Sequence, residues 1–405
     1  MASKLGVGVI GCGNISAAYF SLAPLFRGIE MRACADLDRK MAQARAGEFG
    51  LRAESVEGLL ASDDIDIIVN LTIPAAHYEV SKAALDAGKH VYSEKPFVLS
   101  VKEGLDLKKR AQRKGLRIGS APDTFLGGAH QLARHLIDSG RVGRITGGTC
   151  TVMSHGMEHW HPNPDFFFLP GAGPVLDVGP YYVTNLIQLV GPVTRVAAFS
   201  STPAKERTIT SKPRRGEKIP VRTPTTIHAV LEFANGAIVT LNASWDVWDH
   251  GHQPMELYGE GGTLHLPDPN FFGGEVRFTK ADRPGKAPAF EHPFSVPNQK
   301  HGEGMMANYR TVGLADMALA IQQDRPHRCS LDLALHAVDV MTGILEAGET
   351  GKVVTLKTSC ERPQALSVAD ARKMLAMPPD RARGTARKVA RKTPAGSGAV
   401  KPAAT

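Results

Sequence analysis

The chain has 405 residues, of which 42% are hydrophobic and 22% charged, enough length and apolar content for two domains with their own cores. Its net charge is +8, but residues 378–405 hold seven basic residues and one acidic residue, so this tail carries +6 and residues 1–377 carry +2. A body so close to neutral argues against a nucleic-acid partner. No apolar run reaches the roughly 18 residues that a membrane span needs, so no membrane role is expected.

The termini and the cysteines exclude further classes of protein. Five scattered cysteines without a CxxC spacing predict neither a disulfide framework nor a zinc site. The apolar run at residues 5–10 is too short for a signal peptide, so we expect a cytoplasmic protein. The basic tail is rich in Ala, Pro and Gly and is expected to be disordered, with an electrostatic arm for nucleic acid or membrane as the alternative.

The first predicted element is a buried strand, Leu5 to Ile10, followed by a glycine-rich turn and a helix. The turn matches the dinucleotide fingerprint G-x-G-x-x-G, with Ser16 in place of the third glycine. Gly11 permits the tight turn, and Gly13 lets backbone N–H groups approach a pyrophosphate at the start of the helix. The cofactor contacts predicted here are Gly11, Gly13, Asn14 and Ile15.

A second strand, residues 30–35, ends at Asp36, about 25 residues after Gly11. An acid at this place accepts hydrogen bonds from the ribose hydroxyls and repels a 2′-phosphate. We therefore predict NAD as the cofactor rather than NADP, although Arg39 nearby could serve a 2′-phosphate.

Helices and strands continue to alternate up to residue 88, which predicts a doubly wound parallel sheet. A short helix at residues 55–60 precedes an apolar strand at residues 65–70, and a second helix begins near His77. Thr72, Pro74 and His77 follow the strand end on the cofactor side and are predicted cofactor contacts. His77 could equally cap its helix.

Residues 91–96, Val-Tyr-Ser-Glu-Lys-Pro, place Glu94 and Lys95 at the carboxyl edge of the next strand, where open α/β sheets bind ligands, so both are predicted cofactor contacts. Pro96 keeps Lys95 out of the α region and so stiffens the turn. Lys95 is either a solvated surface charge or a catalytic group. An ammonium beside a reacting oxygen would stabilise alkoxide charge, and burial or a neighbouring cation would lower its pKa into the working range.

From residue 144 the pattern changes to alternating strands, which predicts a large, mostly antiparallel open sheet. We place the domain boundary near Asp123, which is expected to reach the nicotinamide side, and predict a flexible passage at residues 125–128. Asn235-Gly236 between two strands predicts a two-residue hairpin. Two amphipathic helices are predicted at residues 307–322 and 331–347.

A loop crowded with imidazoles and aromatic rings, residues 155–168, interrupts these strands. Its three histidines lack helical spacing and the loop holds two prolines, so no metal site is predicted. Trp160 and Asp165 are residue types common in sugar-binding sites and are predicted to bind substrate: the indole stacks on the C–H face of a sugar, and the carboxylate accepts from its hydroxyl groups. Trp160 could equally anchor the loop in the core.

Glycines at 171 and 173 lead into a predicted helix on which Asp177 and Tyr181 share a face, with Thr184 and Asn185 close to it. Tyr181 could also be plain core.

Three segments together resemble the Gfo/Idh/MocA oxidoreductase family, typified by inositol dehydrogenases and glucose–fructose oxidoreductase. They are Gly11 to Ile15, Glu94-Lys95-Pro96 and residues 171–185, and the resemblance covers roughly residues 5–360. It implies a Rossmann domain followed by an α/β domain with a large open sheet, and oxidation or reduction of a sugar or polyol carbon with bound NAD(P). The lysine of the turn, here Lys95, is implied to lie beside the reacting oxygen.

The third segment departs from the family pattern D-x-G-x-H, in which Asp and His serve as substrate ligand and proton-transfer group. Asp177 fits, but Tyr181 stands where the histidine is expected, as it does in glucose–fructose oxidoreductase. A tyrosine has an ordinary pKa of about 10 and needs a cation such as Lys95 to act as a base.

We therefore interpret the chain as an NAD-dependent sugar or polyol oxidoreductase with Lys95, Asp177 and Tyr181 as catalytic and substrate-binding residues. A non-catalytic dinucleotide-binding sensor and an NAD-assisted glycosidase remain alternatives. The family also implies a homo-oligomer, dimer or tetramer, through the open sheet. The predicted units are a Rossmann domain (1–123), a substrate and oligomerisation domain (124–360), a C-terminal extension (361–377) and a basic tail (378–405).

Overall fold

A computed structural model describes residues 4–280 and 283–378 of the chain, with the backbone alone at 283–286. The predicted basic tail lies outside the described residues, apart from Pro378. Among the helices of the described residues, none has the length and apolar character that crossing a membrane requires.

The amino-terminal part folds as a six-stranded sheet in the order β3-β2-β1-β4-β5-β6, and every neighbouring pair is parallel. This order is that of a dinucleotide-binding Rossmann fold, so the predicted doubly wound sheet is confirmed. Because the strands are parallel, the loops that follow β1, β2, β4 and β5 meet at one edge. The strands are β1 (Leu5–Ile10), β2 (Ile29–Ala35), β3 (Arg52–Glu54), β4 (Ile67–Asn70), β5 (His90–Ser93) and β6 (Ile118–Ser120).

Helices connect these strands in the order that the sequence predicts. The longest, α5, begins with a capping box in which the Ser100 hydroxyl accepts from the Glu103 N–H, and it ends at Gly115 in the left-handed region. The helices of this part are α1 (Ser16–Leu22), α2 (Arg39–Phe49), α3 (Val56–Ala61), α4 (His77–Asp86) and α5 (Val101–Lys114).

The passage between the two sheets is tightly packed, which corrects the prediction of a flexible segment. A Cβ built on Gly127 would lie 2.2 Å from the Phe272 carbonyl oxygen, and one built on Gly128 would lie 1.8 Å from Ser295 Oγ. These glycines therefore allow the chain to pack closely against Phe272 and Ser295, and they do not form a hinge. Helix α6 (Gly128–Asp138) follows directly.

The second sheet has nine strands among the described residues, in the order β16-β15-β14-β13-β7-β12-β11-β8-β19. Its pairs are antiparallel except β7 with β12, which are parallel, so the predicted mostly antiparallel sheet is confirmed. Its strands are β7 (Ile145–Met153), β8 (Val193–Ser201), β11 (Thr226–Phe233), β12 (Ile238–Ser244), β13 (Met255–Gly259), β14 (Gly262–Leu266), β15 (Arg277–Lys280), β16 (Arg283–Lys286) and β19 (Val354–Thr355).

Asn235 and Gly236 do connect two strands, but the turn is wider than predicted. β11 ends at Phe233 and β12 begins at Ile238, while the Asn235 side chain accepts from the Ala237 N–H. Gly236 has φ +85°, a left-handed value that glycine adopts without strain. Two small sheets were not predicted, because their strands are only three residues long: β9 (Glu206–Thr208) with β10 (Lys218–Pro220), and β17 (Gln299–His301) with β18 (Gly304–Met306).

The carboxyl-terminal helices return to the first sheet. Helix α10 (Leu331–Thr350) packs against β8, and its start is tied to the Rossmann sheet by the bond from the Ser120 N–H to the Cys329 carbonyl. Helix α9 (Val312–Gln322) begins five residues later than predicted, because residues 307–309 are irregular and residues 310–311 form a turn. Helix α11 (Val368–Met374) leads to Leu375, which bridges Phe26 in the Rossmann part.

Candidate active site

The glycine-rich loop after β1 is built for close approach. Gly11 has φ +103°, and a Cβ there would lie 2.7 Å from the Leu71 carbonyl, so only glycine fits. A Cβ on Gly13 would meet no heavy atom within 4 Å, which leaves open space in front of the loop. Helix α1 starts there without a side-chain cap or an acidic residue in its first turn. This arrangement fits the pyrophosphate of a dinucleotide.

The third fingerprint position is filled by Ser16. Its side chain is fully buried, and its hydroxyl donates to the Gly13 carbonyl at 2.6 Å. The serine therefore holds the loop as well as allowing close packing.

Asp36 lies at the end of β2, beside this loop. Its Oδ2 accepts from the Cys12 N–H at 2.7 Å and its Oδ1 from the Asp38 N–H at 2.9 Å. Asp36 therefore holds the loop in place. Because a carboxylate without its proton has about four acceptor positions, positions remain that can accept hydrogen bonds from ribose hydroxyls.

The segment after β4 contributes structure to this edge. Thr72 bonds to the Asn70 side chain, and Pro74 begins a short 3-10 helix. His77 is fully buried, with Nδ1 2.7 Å from the Pro96 carbonyl and Nε2 3.0 Å from the Thr72 carbonyl. It ties this segment to the lysine turn and does not cap its own helix, so the geometry gives no support to a direct cofactor contact by His77.

Lys95 and Asp177 meet across the two domains. Lys95 Nζ donates to the Asp177 carboxylate at 2.8 Å and to the Asp177 carbonyl at 2.6 Å. The same Nζ lies 5.4 Å from the centre of the Tyr181 ring. The structure therefore brings together the three residues that the sequence nominates for catalysis.

The protonation of Lys95 differs from the expectation. Burial would lower the pKa of the Lys95 ammonium, but the charge and hydrogen bond of Asp177 outweigh burial and raise the pKa instead. Lys95 is thus a firmly held cation at neutral pH, suited to stabilise negative charge and not to accept a proton.

The predicted single helix around Asp177 is two helices. α7 (Gly173–Asp177) ends at Asp177, and α8 (Gly179–Val190) begins after Val178 with Pro180 in its first turn. The break still leaves Tyr181 near Lys95, with 7% of its surface exposed. Thr184 and Asn185 are buried, and Asn185 bonds to His130 and Gln188 instead.

Glu94 lies behind Lys95 in a buried network that the sequence did not predict. Its Oε1 accepts from the Tyr19 hydroxyl at 2.9 Å and from Arg310 Nη1 at 2.8 Å, and its Oε2 accepts from the Lys95 N–H at 3.0 Å. Glu94 is therefore engaged in holding the turn, and the geometry does not support a direct cofactor contact. Arg310 is 216 residues away in the chain, in a segment without any motif.

Asp123 holds the start of α9 and is buried to 1% exposure. Its Oδ2 accepts from the N–H groups of Thr311 and Gly313, both at 3.1 Å. The expected reach of Asp123 toward the nicotinamide is therefore not supported by the geometry. Burial raises the pKa of this carboxyl to about 6, despite the opposing charge of Arg310.

A pH-dependent stability follows from Asp123. A carboxyl whose folded pKa is raised contributes stability below its unfolded pKa of about 3.9 that is lost as the pH rises through 6. Asp123→Asn removes this dependence while keeping an oxygen for the two N–H groups. We expect urea unfolding to show the variant gaining up to about 3 kcal/mol relative to wild type between pH 4 and pH 7. A stability difference that does not change with pH would contradict this assignment.

Trp160 and Asp165 lie on the loop between β7 and α7. Trp160 is 57% exposed, so the alternative of a core anchor is wrong, but no contact among the described residues joins it to Lys95. Both oxygens of Asp165 bond to Arg214, whose hydrogen bonds lower the pKa of Asp165. Asp165 thus fastens the loop, and the geometry does not support its binding a sugar hydroxyl. Beneath lies a small separate core of Phe167, Phe168, Ile209, Ile219 and Trp245.

The histidines of this loop enter aromatic contacts. His155 stacks on Trp248 with ring centres 3.3 Å apart, and His161 meets Phe167 edge to face. No cluster of three or more His, Cys, Asp or Glu side chains suited to a metal occurs within the part of the chain that the structure describes.

Two family models match this chain. Residues 5–121 match the model described as oxidoreductase family, NAD-binding Rossmann fold, and residues 130–265 match the Gfo/Idh/MocA C-terminal domain. The two matches correspond to the two sheets of the structure.

Characterised relatives act on sugars and their derivatives. Levoglucosan dehydrogenase of Pseudarthrobacter phenanthrenivorans is 26% identical over 333 residues, 75% of this chain and 83% of that protein. dTDP-3,4-didehydro-2,6-dideoxy-alpha-D-glucose 3-reductase of Saccharopolyspora spinosa is 30% identical over 49% of this chain and 60% of its own length. 1,5-Anhydro-D-fructose reductase of Ensifer adhaerens is 30% identical over 34% and 42%.

Solved structures share the fold. The apo form of levoglucosan dehydrogenase superposes with a TM-score of 0.76 at 22% identity, covering 89% of this chain and all of that one. The complex of that enzyme with NADH and levoglucosan gives 0.74 at 22% identity, over 88% and 100%. An NAD binding oxidoreductase from Klebsiella pneumoniae gives 0.74 at 21% identity, also over 88% and 100%.

Proposed function

Because the chain belongs to the Gfo/Idh/MocA family of NAD-binding oxidoreductases, we propose that it oxidises or reduces one carbon of a sugar, sugar derivative or cyclic polyol. The observation that carries the proposal is the contact of Lys95 with Asp177 beside Tyr181, at the sheet edge that also holds the glycine-rich loop. A cation, a carboxylate and a phenol close together provide what alcohol chemistry needs.

Each of the three residues has a distinct role in this proposal. Lys95 has three N–H donors, of which Asp177 takes two, so one remains for the substrate oxygen and stabilises negative charge on it. Asp177 holds the ammonium and accepts from a neighbouring substrate hydroxyl. Tyr181 relays the proton of the reacting hydroxyl: during oxidation its oxygen takes this proton while its own hydroxyl proton passes to solvent, and reduction reverses both transfers. Bound NAD supplies the hydride acceptor or donor, held by the loop of Gly11 and Gly13.

A substrate panel tests the proposal. Purified protein is incubated with NAD and single sugars, anhydrosugars and inositols, and NADH formation is followed by its absorbance, with NADH and keto-sugars for the reverse direction. We expect turnover with at least one member of these classes. NADH binding without turnover on the whole panel would favour the dinucleotide-binding sensor. Release of nitrophenol from nitrophenyl glycosides, tested with NAD in parallel, without net NADH would favour the glycosidase.

Asp36 supports a preference for NAD over NADP. We expect Asp36→Ala to lower the ratio of kcat/KM for NAD to kcat/KM for NADP by about 10- to 100-fold. This change corresponds to the loss of a charge-assisted hydrogen bond of about 1.5–3 kcal/mol. Both values should also fall, because the clamp on the Cys12 N–H is lost. The ratio separates the change in cofactor preference from the general loss of activity that follows when the loop is no longer held. Equal use of NADP by the wild-type protein would contradict the assignment.

The outer face of the second sheet supports a homo-oligomer, dimer or tetramer. Phe199, Val230 and Ile238 stand on neighbouring strands with 80%, 43% and 46% of their surfaces exposed. Large apolar side chains exposed on a sheet face that also carries the ion pair of Arg195 with Glu232 fit contact with a second subunit. Light scattering of the purified protein measures the mass of the assembly, and a monomer would contradict this part of the proposal.

A further inference from the structure

Arg310 lies in a turn with two energetically unfavourable features. Thr311, the next residue, has φ +86°, a left-handed value that is costly for a β-branched residue. Its hydroxyl is also buried and, among the described residues, has no hydrogen-bond partner. Conformations of this kind persist where the surrounding structure enforces them, and they cluster at functional sites.

The turn is held from both sides. Asp123 accepts from the N–H groups on either side of Val312, as described above. Asn298 and Asn308 bond reciprocally: the Asn308 N–H donates to Asn298 Oδ1 at 2.7 Å, and Asn298 Nδ2 donates to the Asn308 carbonyl at 2.8 Å. The turn therefore presents Arg310 in a fixed position.

Arg310 reaches Glu94, which is the immediate neighbour of Lys95. The side chains of Arg310 and Glu94 are 15% and 9% exposed, so the ion pair is largely shielded from water. Burial would raise the pKa of Glu94, but the charges of Arg310 and Lys95 outweigh burial and lower it, so Glu94 is ionised. A buried carboxylate of this kind needs its charge partner.

Lys95 has two carboxyl side chains nearby, those of Asp177 and Glu94, but bonds through Nζ to only one of them in the described structure. Asp177 takes the ammonium, while Glu94 bonds to Lys95 through the backbone N–H alone. The Glu94 oxygens are occupied by Arg310, Tyr19 and that N–H. Without Arg310, Glu94 would hold uncompensated charge close to Lys95 and would compete with Asp177 for the ammonium.

We propose that Arg310 is a positioning residue for Lys95. Arg310 neutralises the charge of Glu94, so the Lys95 ammonium stays with Asp177 at the reacting oxygen. The inference rests on the proposed function for the role of Lys95 in catalysis. The competition of Glu94 with Asp177 for the ammonium does not depend on a substrate.

Rescue by a second substitution tests the inference. We expect Arg310→Met to lower kcat by about 10- to 100-fold, the usual effect of misplacing a reacting group by about 1 Å. In the double variant Arg310→Met with Glu94→Gln, no second carboxylate competes with Asp177 for Lys95, so kcat should recover at least about tenfold over the single variant. Arg310→Lys keeps the cation and should lose less than Arg310→Met. A merely structural role for Arg310 would not be rescued by Glu94→Gln.

A second measurement needs no substrate. Acylation of the Lys95 amine by an anhydride, followed by mass spectrometry of the peptide, reports how strongly its surroundings hold the protonated form. We expect slower labelling in Arg310→Met than in wild type, and recovery in the double variant. Equal labelling in all three proteins, or a double variant as inactive as Arg310→Met, would overturn the inference. If labelling follows the expectation but no sugar is turned over, the proposed function alone fails.

Discussion

Replacing Lys95 by methionine is expected to lower kcat by at least about 100-fold, the typical effect of removing a donor that stabilises developing negative charge. Methionine keeps much of the side-chain length and removes the ammonium that bonds to Asp177. NADH binding, followed by fluorescence, should be nearly unchanged, because the glycine-rich loop holds the pyrophosphate. The two readouts together separate loss of chemistry from loss of the cofactor site.

Lys108→Met is the matched control for this substitution. Lys108 pairs with Asp332 at the surface, and neither residue is assigned to the site, so its loss should leave kcat near the wild-type value. Near-normal turnover by Lys95→Met would refute the role assigned to Lys95.

Replacing Tyr181 by phenylalanine is expected to lower kcat by about 100-fold or more while the fold is kept, because only a hydroxyl is removed. Since Lys95 is a firmly held ammonium, the proton of the substrate hydroxyl needs another route, and the Tyr181 ring lies 5.4 Å from the Lys95 ammonium. The measurement is kcat with the substrate found in the panel, together with thermal unfolding to establish that the fold is intact.

Tyr182→Phe is a control in the same helix. Tyr182 is buried, and burial raises its pKa well above the ordinary value, so it is not suited to accept a proton. We expect Tyr182→Phe to keep its activity. Full activity of Tyr181→Phe would refute the proton transfer by Tyr181 but leave the charge-stabilising role of Lys95 intact.

The sequence predicts those features that local patterns encode. The alternation of helices and strands predicts the Rossmann sheet, and the position of Lys95 after β5 follows from the glycine at the end of α4 and the proline at 96. Asp177 and Tyr181 could be nominated because they lie four residues apart, although the helix break at Val178 was not predicted.

Burial and distant contacts could not be predicted. Glu94, His77 and Asp123 all stand at the predicted sheet edge, but their side chains point into buried networks, which depend on tertiary packing. Arg310 meets Glu94 only because α9 returns to the first sheet, and nothing in its local sequence marks this contact. A buried carboxylate requires a charge partner. Burial of Glu94 would therefore indicate that a basic residue lies next to it, but not which residue this is.

Transfer of deuterium from substrate to NAD reports whether this protein moves a hydride and whether Lys95 is needed for it. A substrate from the panel, labelled with deuterium at the reacting carbon, is incubated with NAD and with either wild-type protein or Lys95→Met, and the NADH is analysed by mass spectrometry. We expect singly deuterated NADH with the wild-type protein and almost none with Lys95→Met over the same time. Unlabelled NADH from the wild-type protein, or equal labelling by both proteins, would contradict this expectation.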